Sequence, residues 1–160
     1  MRLSTRGRYA LRAMVDLAAH RGAAPVQRSD IAQRQEISAD YIEQLFVKLR
    51  RAELIRSVKG PGGGYVLARD PATISAGDII AAVEGPLAVV HCVTGEQDEP
   101  CHRIDRCVAH LLWKKLSATL SEILDSTTLK DLCDQSAALE GTSRDTHAST
   151  DMADDRLHIL

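Results

Sequence analysis

Residues 54–69 read LIRSVKGPGGGYVLAR, and they admit few folds. GPGGG at 60–64 cannot be helix, because glycine and proline are the two poorest helix formers. It therefore reads as a turn. LIRSVK before it alternates apolar and polar residues, and YVLAR after it reads as the returning strand. Two such runs about a glycine turn make an antiparallel hairpin.

The residues upstream of the hairpin are helical in pattern. Ser4 is placed to cap a helix whose inner face is Tyr9, Ala10, Ala13, Met14, Leu17 and Ala18, ending near Gly22 with Pro25 beyond. SDIAQRQEIS gives a short helix from Ser29 and then a tight turn around Glu36 and Ile37. Ser38 caps a third helix, ADYIEQLFVKLRRAE, apolar at Ile42, Leu45, Phe46 and Leu49 and polar at Asp40, Glu43, Gln44, Lys48 and Arg51. Two short helices about a tight turn, followed by a hairpin, describe a winged helix-turn-helix. The expected fold class is mainly α with a small β-hairpin wing, followed by a long dimerisation helix.

Past Pro71, SAGDIIAAVEG predicts one more short helix. From about Asp105 to about Asp125 a long helix is expected, with Val108, Leu112, Leu116, Leu120 and Ile123 on one stripe and Leu111 and Leu124 widening it. So small a domain covers that stripe poorly, which points to a second copy of the chain as its partner. Thr127 or Thr128 caps a last helix, LKDLCDQ. The reading divides the chain into a winged helix-turn-helix at 1–70, a connecting helix and link at 71–90, a cysteine loop at 91–110, the dimerisation and last helices at 105–135, and a disordered tail at 141–160.

Charge is unevenly spread. Residues 1–60 carry 12 Lys/Arg against 6 Asp/Glu, while residues 61–160 carry 8 against 16. A basic first part joined to an acidic remainder points to a polyanion partner for the first part only. No apolar run of membrane-spanning length occurs, and Arg8, Arg12 and Asp16 interrupt any secretory apolar core near the start. A cytoplasmic location is expected. Aromatics make up only 3 % of the chain, so the core must be aliphatic.

A helix of the winged kind reads base edges from its N-terminal residues, here Asp40, Tyr41, Glu43 and Gln44. A carboxylate accepts from the cytosine amino group and a glutamine pairs with adenine, so Glu43 and Gln44 are the expected base readers. Glu43 also repels phosphate and should act partly by rejecting wrong sequences. Ser38, Lys48, Arg50, Arg51 and Arg56 are candidates for backbone contacts. Lys59, with Gly60 and Pro61, lies at the wing tip, where a bare backbone can approach a phosphate and a cation can enter a narrow groove.

Three of the four cysteines fall in HCVTGEQDEPCHRIDRCVAH, as Cys92-x8-Cys101-x5-Cys107-x2-His110. Three thiolates and an imidazole complete a tetrahedral set for zinc or for an iron–sulfur cluster. Structural zinc prefers close paired ligands, and only Cys107 and His110 are that close; the wide spacing suits a cluster better. His91 and His102 also neighbour cysteines and could substitute. Cys133 sits on the apolar face of the last helix and reads as core. No Ser/His/Asp or Cys/His set has a catalytic context, so the chain is not expected to be an enzyme.

Taken together, MRLSTRGRYAL, ISADYIEQLF, VKGPGGGYVLARD and the Cys-x5-Cys-x2-His run before HLLWKKL resemble the IscR-type iron–sulfur cluster regulators. That family also includes the nitric-oxide sensor NsrR and the iron regulator RirA. The likeness covers about residues 1–135. It implies a winged-helix homodimer joined through the long helix, a 2Fe–2S cluster on Cys92, Cys101, Cys107 and His110, and DNA contacts from Glu43, Gln44 and the wing cation. It further implies a pseudo-palindromic operator, target genes for cluster assembly, often under repression, and the assembly machinery as cluster source. Alternatives are a nitric-oxide- or iron-responsive regulator of the same family, or a zinc-stapled DNA-binding regulator without sensing. Two departures stand out. The Cys92–Cys101 loop is longer than is usual in that family, and Lys59 stands where the family has an arginine, a weaker fit to a narrow minor groove.

Overall fold

The computed structural model describes residues 4–94 and 101–139. In chain order these form α1 (Thr5–Ala19), α2 (Arg28–Gln35), α3 (Ala39–Arg51), β1 (Ile55–Val58), β2 (Gly64–Leu67), a 3-10 turn at Pro71–Thr73, α4 (Ala76–Glu84), a helical turn α5 (His91–Thr94), a second 3-10 turn at Ile104–Arg106, α6 (Val108–Ser126) and α7 (129–139). The 141–160 tail lies outside the described residues.

The core is aliphatic around one phenyl ring. Ala10, Ala13, Met14 and Leu17 of α1 meet Ile31 of α2, Ile42, Leu45, Phe46 and Leu49 of α3, and Ile79 and Val83 of α4. Leu129, at the start of α7, closes the same core. Helix α4 packs against both α1 and α3, so the connecting helix is built into the core that holds the helix-turn-helix. Its last turn is clasped from two sides: the Val83 carbonyl accepts from Lys48 Nζ of α3 at 2.9 Å and from an Arg6 guanidinium N–H of α1 at 3.4 Å. Glu84 reaches back to the start of α1, accepting from the Gly7 N–H at 2.8 Å and the Ser4 hydroxyl at 2.7 Å.

Between α2 and α3 the chain turns through Glu36, which takes left-handed backbone angles (φ 54°, ψ 43°) and caps α2. Ser38 accepts from the Tyr41 N–H and starts α3 as expected. Helix α2 begins at Arg28 rather than Ser29. The cap position falls on Gln27, which makes no side-chain cap bond, and the Ser29 hydroxyl turns to Asp30 instead. Asp16 is the polar member of this core. Its side chain is 1 % exposed and takes both Arg34 Nε (3.1 and 3.0 Å) and Arg34 Nη2 (2.6 Å), with Gln35 Nε2 at 3.0 Å. This clamp fixes α1 to the end of α2. The Asp16 carboxylate in turn raises the Arg34 pKa.

The wing pairs Ile55 with Leu67, Arg56 with Val66, Ser57 with Tyr65 and Val58 with Gly64. It does not stand free. The Val26 N–H donates to the Tyr65 carbonyl at 3.0 Å and the Tyr65 N–H to the Val26 carbonyl at 2.8 Å, which lays β2 against the lead-in to α2. Gly64 is required for that approach: a Cβ there would sit 2.8 Å from the Val26 carbonyl carbon. Of the two candidate caps, Thr128 starts α7 and caps it reciprocally with Asp131, while the Thr127 hydroxyl turns back to the Ile123 carbonyl. Helix α6 starts at Val108, three residues later than expected, because Ile104–Arg106 closes a 3-10 turn and Cys107 takes an extended conformation (φ −97°, ψ 103°).

Candidate functional site

Helix α3 presents its first two turns beside the wing. Ser38, Asp40 and Gln44 are exposed, as are Arg50 and Arg51 toward the helix end. Tyr41 is half-buried, its ring edge-on to Tyr9 with centroids 5.9 Å apart. Lys59, Gly60 and Pro61 are exposed at the wing tip, where the Gly63 N–H closes the turn onto the Gly60 carbonyl at 2.9 Å. Arg50 leans on Ser57 Oγ of β1 at 3.4 Å, and Arg56 on the Ala68 carbonyl at 3.2 Å. Lys48 is half-buried, and its ammonium is the one that holds Val83.

Glu43 does not project freely. Its Oε2 accepts from Arg28 Nη1 at 3.0 Å and from the Tyr65 hydroxyl at 2.9 Å. Arg28 comes from the first position of α2, Glu43 from α3 and Tyr65 from β2, so one carboxylate joins three elements. Burial first, and then Glu43, raise the Tyr65 pKa, which keeps the hydroxyl a donor. The Tyr65 ring is anchored edge-on to Phe46 with centroids 4.7 Å apart. An open groove of about 470 Å³ runs between the start of α2, Glu43 and the wing. Sequence reasoning missed Arg28 and Tyr65. A helical period relates residues within one element, and these meet Glu43 only once three elements have packed; the alternation that turns Tyr65 inward was the available signal.

The thiol segment follows α4 in the chain. Cys92 sits in α5, which packs against α6. Just before it, the Val89 N–H donates to the buried hydroxyl of Ser117 at 3.1 Å, fastening the segment to α6. Cys101 is exposed, and Cys92 and Cys107 are half-buried, all as free thiols. Cys107 occupies the cap position of α6, and the His110 N–H donates to its carbonyl at 3.0 Å, which places the two residues one turn apart. His110 Nδ1 is buried and has no hydrogen-bond partner among the described residues. A buried imidazole nitrogen without a partner is rare and calls for an explanation. Among the described residues, no three His, Cys, Asp or Glu side chains come together closely enough to hold a metal ion. Glu96, Asp98 and Glu99 of the long loop lie outside the described residues. His102 is exposed, and Cys133 is half-buried against α1, its thiol pushed up by burial.

Along α6, Val108, Leu111, Leu112, Leu116 and Ile123 are exposed, Val108 by 80 % and Leu112 by 58 %. Leu120 and Leu124 are half-buried. The stripe read from the sequence is therefore an apolar face that the described part of this chain leaves open. No helix among the described residues is long and apolar enough to cross a membrane.

The family model described as an iron-dependent transcriptional regulator, Rrf2, matches residues 3–135. The chain belongs to the Rrf2 family. Among relatives of this Rrf2 chain, the HTH-type transcriptional regulator IscR of Sodalis glossinidius is 44 % identical over 144 residues, covering 90 % of this chain and 86 % of that protein. IscR of Yersinia enterocolitica is 43 % identical over the same length. Among solved structures, IscR of T. potens aligns with a TM-score of 0.68 at 40 % identity, covering 85 % of this chain and 88 % of the other. CymR, the global cysteine regulator of B. subtilis, aligns with a TM-score of 0.69 at 41 % identity over 84 % and 98 %. This Rrf2 chain is thus a DNA-binding transcription regulator with a winged-helix fold, and not an enzyme.

Proposed function

We propose that this regulator is a cytoplasmic homodimer that senses a 2Fe–2S cluster held by Cys92, Cys101, Cys107 and His110, and that it controls, mostly by repression, genes for cluster assembly. The observation that carries the reading is the buried His110 Nδ1, without a hydrogen-bond partner among the described residues, one turn after Cys107 at the head of α6. Three soft thiols and a neutral imidazole are a fitting donor set for such a cluster. The cluster, when bound, supplies an oxygen- and redox-labile centre whose gain or loss is the signal. An imidazole ligand adds to that lability, because it protonates and leaves more readily than a thiolate.

What this chain's residues contribute is attachment. Cys107 and His110 belong to the first turn of α6, whereas Cys92 belongs to a segment pinned to α6 through Val89 and Ser117. Drawing Cys92 and Cys101 toward that turn fixes the whole thiol segment against α6. The exposed apolar stripe of α6 is proposed to pair with the same helix of a second copy, so fixing the segment biases the spacing of two recognition helices. On the DNA, Glu43 and Gln44 read base edges of a pseudo-palindromic operator, Lys59 enters the minor groove beside Gly60 and Pro61, and Ser38, Arg50 and Arg51 meet phosphates. The assembly machinery is the proposed cluster source. The family's description as iron-dependent favours a second reading, in which iron supply itself is the signal through the same ligands.

The test is anaerobic purification of the wild type, Cys107→Ala and His110→Ala, with iron, sulfide and zinc counted and DNA binding measured before and after reconstitution. Visible cluster absorbance in the wild type, lost in Cys107→Ala with the helical circular dichroism retained, is the expected result. Zinc without sulfide, or a colourless protein whose DNA binding is unchanged by reconstitution, overturns it.

A further inference from the structure

In the Arg28–Glu43–Tyr65 network both charges stay accessible. The Glu43 side chain is 38 % exposed and the Arg28 side chain 41 %, and both line the groove between α2, α3 and the wing. Tyr65, by contrast, is buried, and its backbone is bonded to Val26 on one side and its ring packed on Phe46 on the other. One buried donor and one solvent-accessible cation therefore share a single carboxylate oxygen, Oε2.

An unpaired carboxylate on a face meant for DNA meets phosphate repulsion at every sequence. A cation 3.0 Å away offsets much of that repulsion during approach. Once docked, however, an Arg28 still paired with Glu43 at Oε2 would hold the negative charge of the carboxylate and weaken it as an acceptor for a base amino group.

Resting on the reading of Glu43 as a base contact, we propose that Tyr65 and Arg28 are specificity-determining positioning residues: Tyr65 aims the Glu43 carboxylate into the groove, and Arg28 neutralises it in the free protein and transfers to a backbone phosphate when Glu43 accepts from a base. The operator then exchanges one internal ion pair for two external contacts. A base that offers no amino donor at that position leaves Glu43 with Arg28, and the phosphate contact is not made. Specificity at one base pair thus becomes coupled to affinity for the backbone. Arg28 at the start of α2 serves a purpose that neither its own helix nor the α3 stripe reveals.

The experiment uses the full-length chain, purified anaerobically. Duplexes are selected from a library of 30-base-pair DNAs with a randomised centre to define the bound sequence. Dissociation constants are then measured on the selected duplex and on its single-base variants over a range of salt, for the wild type and for Glu43→Gln, Tyr65→Phe, Arg28→Met and Arg28→Lys. The base pair whose preference changes in Glu43→Gln is the one Glu43 reads. At that base pair, Tyr65→Phe is expected to reduce the preference about fivefold, the worth of one hydrogen bond, and to leave other positions unchanged. Arg28→Met should lower the salt slope by about 0.9 per protomer, and Arg28→Lys should restore the slope. If Glu43→Gln shifts a base preference while Tyr65→Phe and Arg28→Met leave both preference and slope at wild-type values, the positioning proposal is overturned and the base-reading role of Glu43 survives. If Glu43→Gln changes no preference at any position, both are overturned.

Discussion

Asp16→Asn should cost the fold about 2 kcal/mol, and the figure follows from which partner can return to water. The carboxylate is 1 % exposed and accepts from Arg34 and Gln35. Asparagine fits the space but keeps one acceptor oxygen and turns an amide NH₂ toward two donors. Breaking a fully buried ion pair from one side typically costs about 3–5 kcal/mol, whereas an exposed pair is worth about 0–1. Arg34 lies between these limits: its side chain is 33 % exposed, so its guanidinium regains part of its hydration when the charge opposite disappears. Equilibrium urea unfolding under reducing conditions, at matched protein concentration, measures the loss as a midpoint shift of about 1 M, given a slope of about 2 kcal/mol/M. Arg34→Met in the Asp16→Asn background should then cost far less than Arg34→Met alone, with a coupling of about 1–2 kcal/mol. A single mutant within about 0.5 kcal/mol of the wild type would refute the view that this clamp holds α1 to α2.

Two further outcomes follow from the described geometry. The Thr128 hydroxyl and backbone N–H hold the Asp131 carboxyl below the usual carboxylate range, so its contribution to α7 is present above the unfolded-state pKa and is lost as pH falls through the lower folded value; an NMR titration should find that low midpoint, and Thr128→Val should raise it. Leu112→Glu, at an exposed stripe position of α6, should convert the proposed dimer to a monomer at micromolar concentration with helicity retained, as read by light scattering after gel filtration; an unchanged mass would remove α6 from the proposed interface.

Much of the fold is legible because one period decides it. The α3 stripe of Ile42, Leu45, Phe46 and Leu49 is buried throughout, and Ser38 and Thr128 cap where their hydroxyls suggested. GPGGG turns the wing as its composition requires. What stayed hidden are bonds that cross elements. Asp16 looks like an interruption of an apolar helix until Arg34, eighteen positions on, reaches it. Lys48 looks like a phosphate cation, and only the packing of α4 reveals a carbonyl at its tip. Glu43 reads as a free base contact, whereas Arg28 and Tyr65 already hold it. The start of α6 slipped by a turn because the apolar period does not register a 3-10 turn. At the thiol segment, residue types and order were visible, but a His110 nitrogen buried without a partner among the described residues is a property of packing, which spacing cannot supply.

The carbonyl of Val83 has a mechanical meaning. Two cations, Lys48 from the recognition helix and Arg6 from the first helix, grip the same oxygen, and two residues later the chain leaves toward Cys92. Tension on the cysteine-bearing segment therefore meets Ser117 through Val89 first, and beyond it an atom already tethered to the part that faces the duplex. A displacement that reaches that carbonyl bears, through Lys48, on the helix that reads.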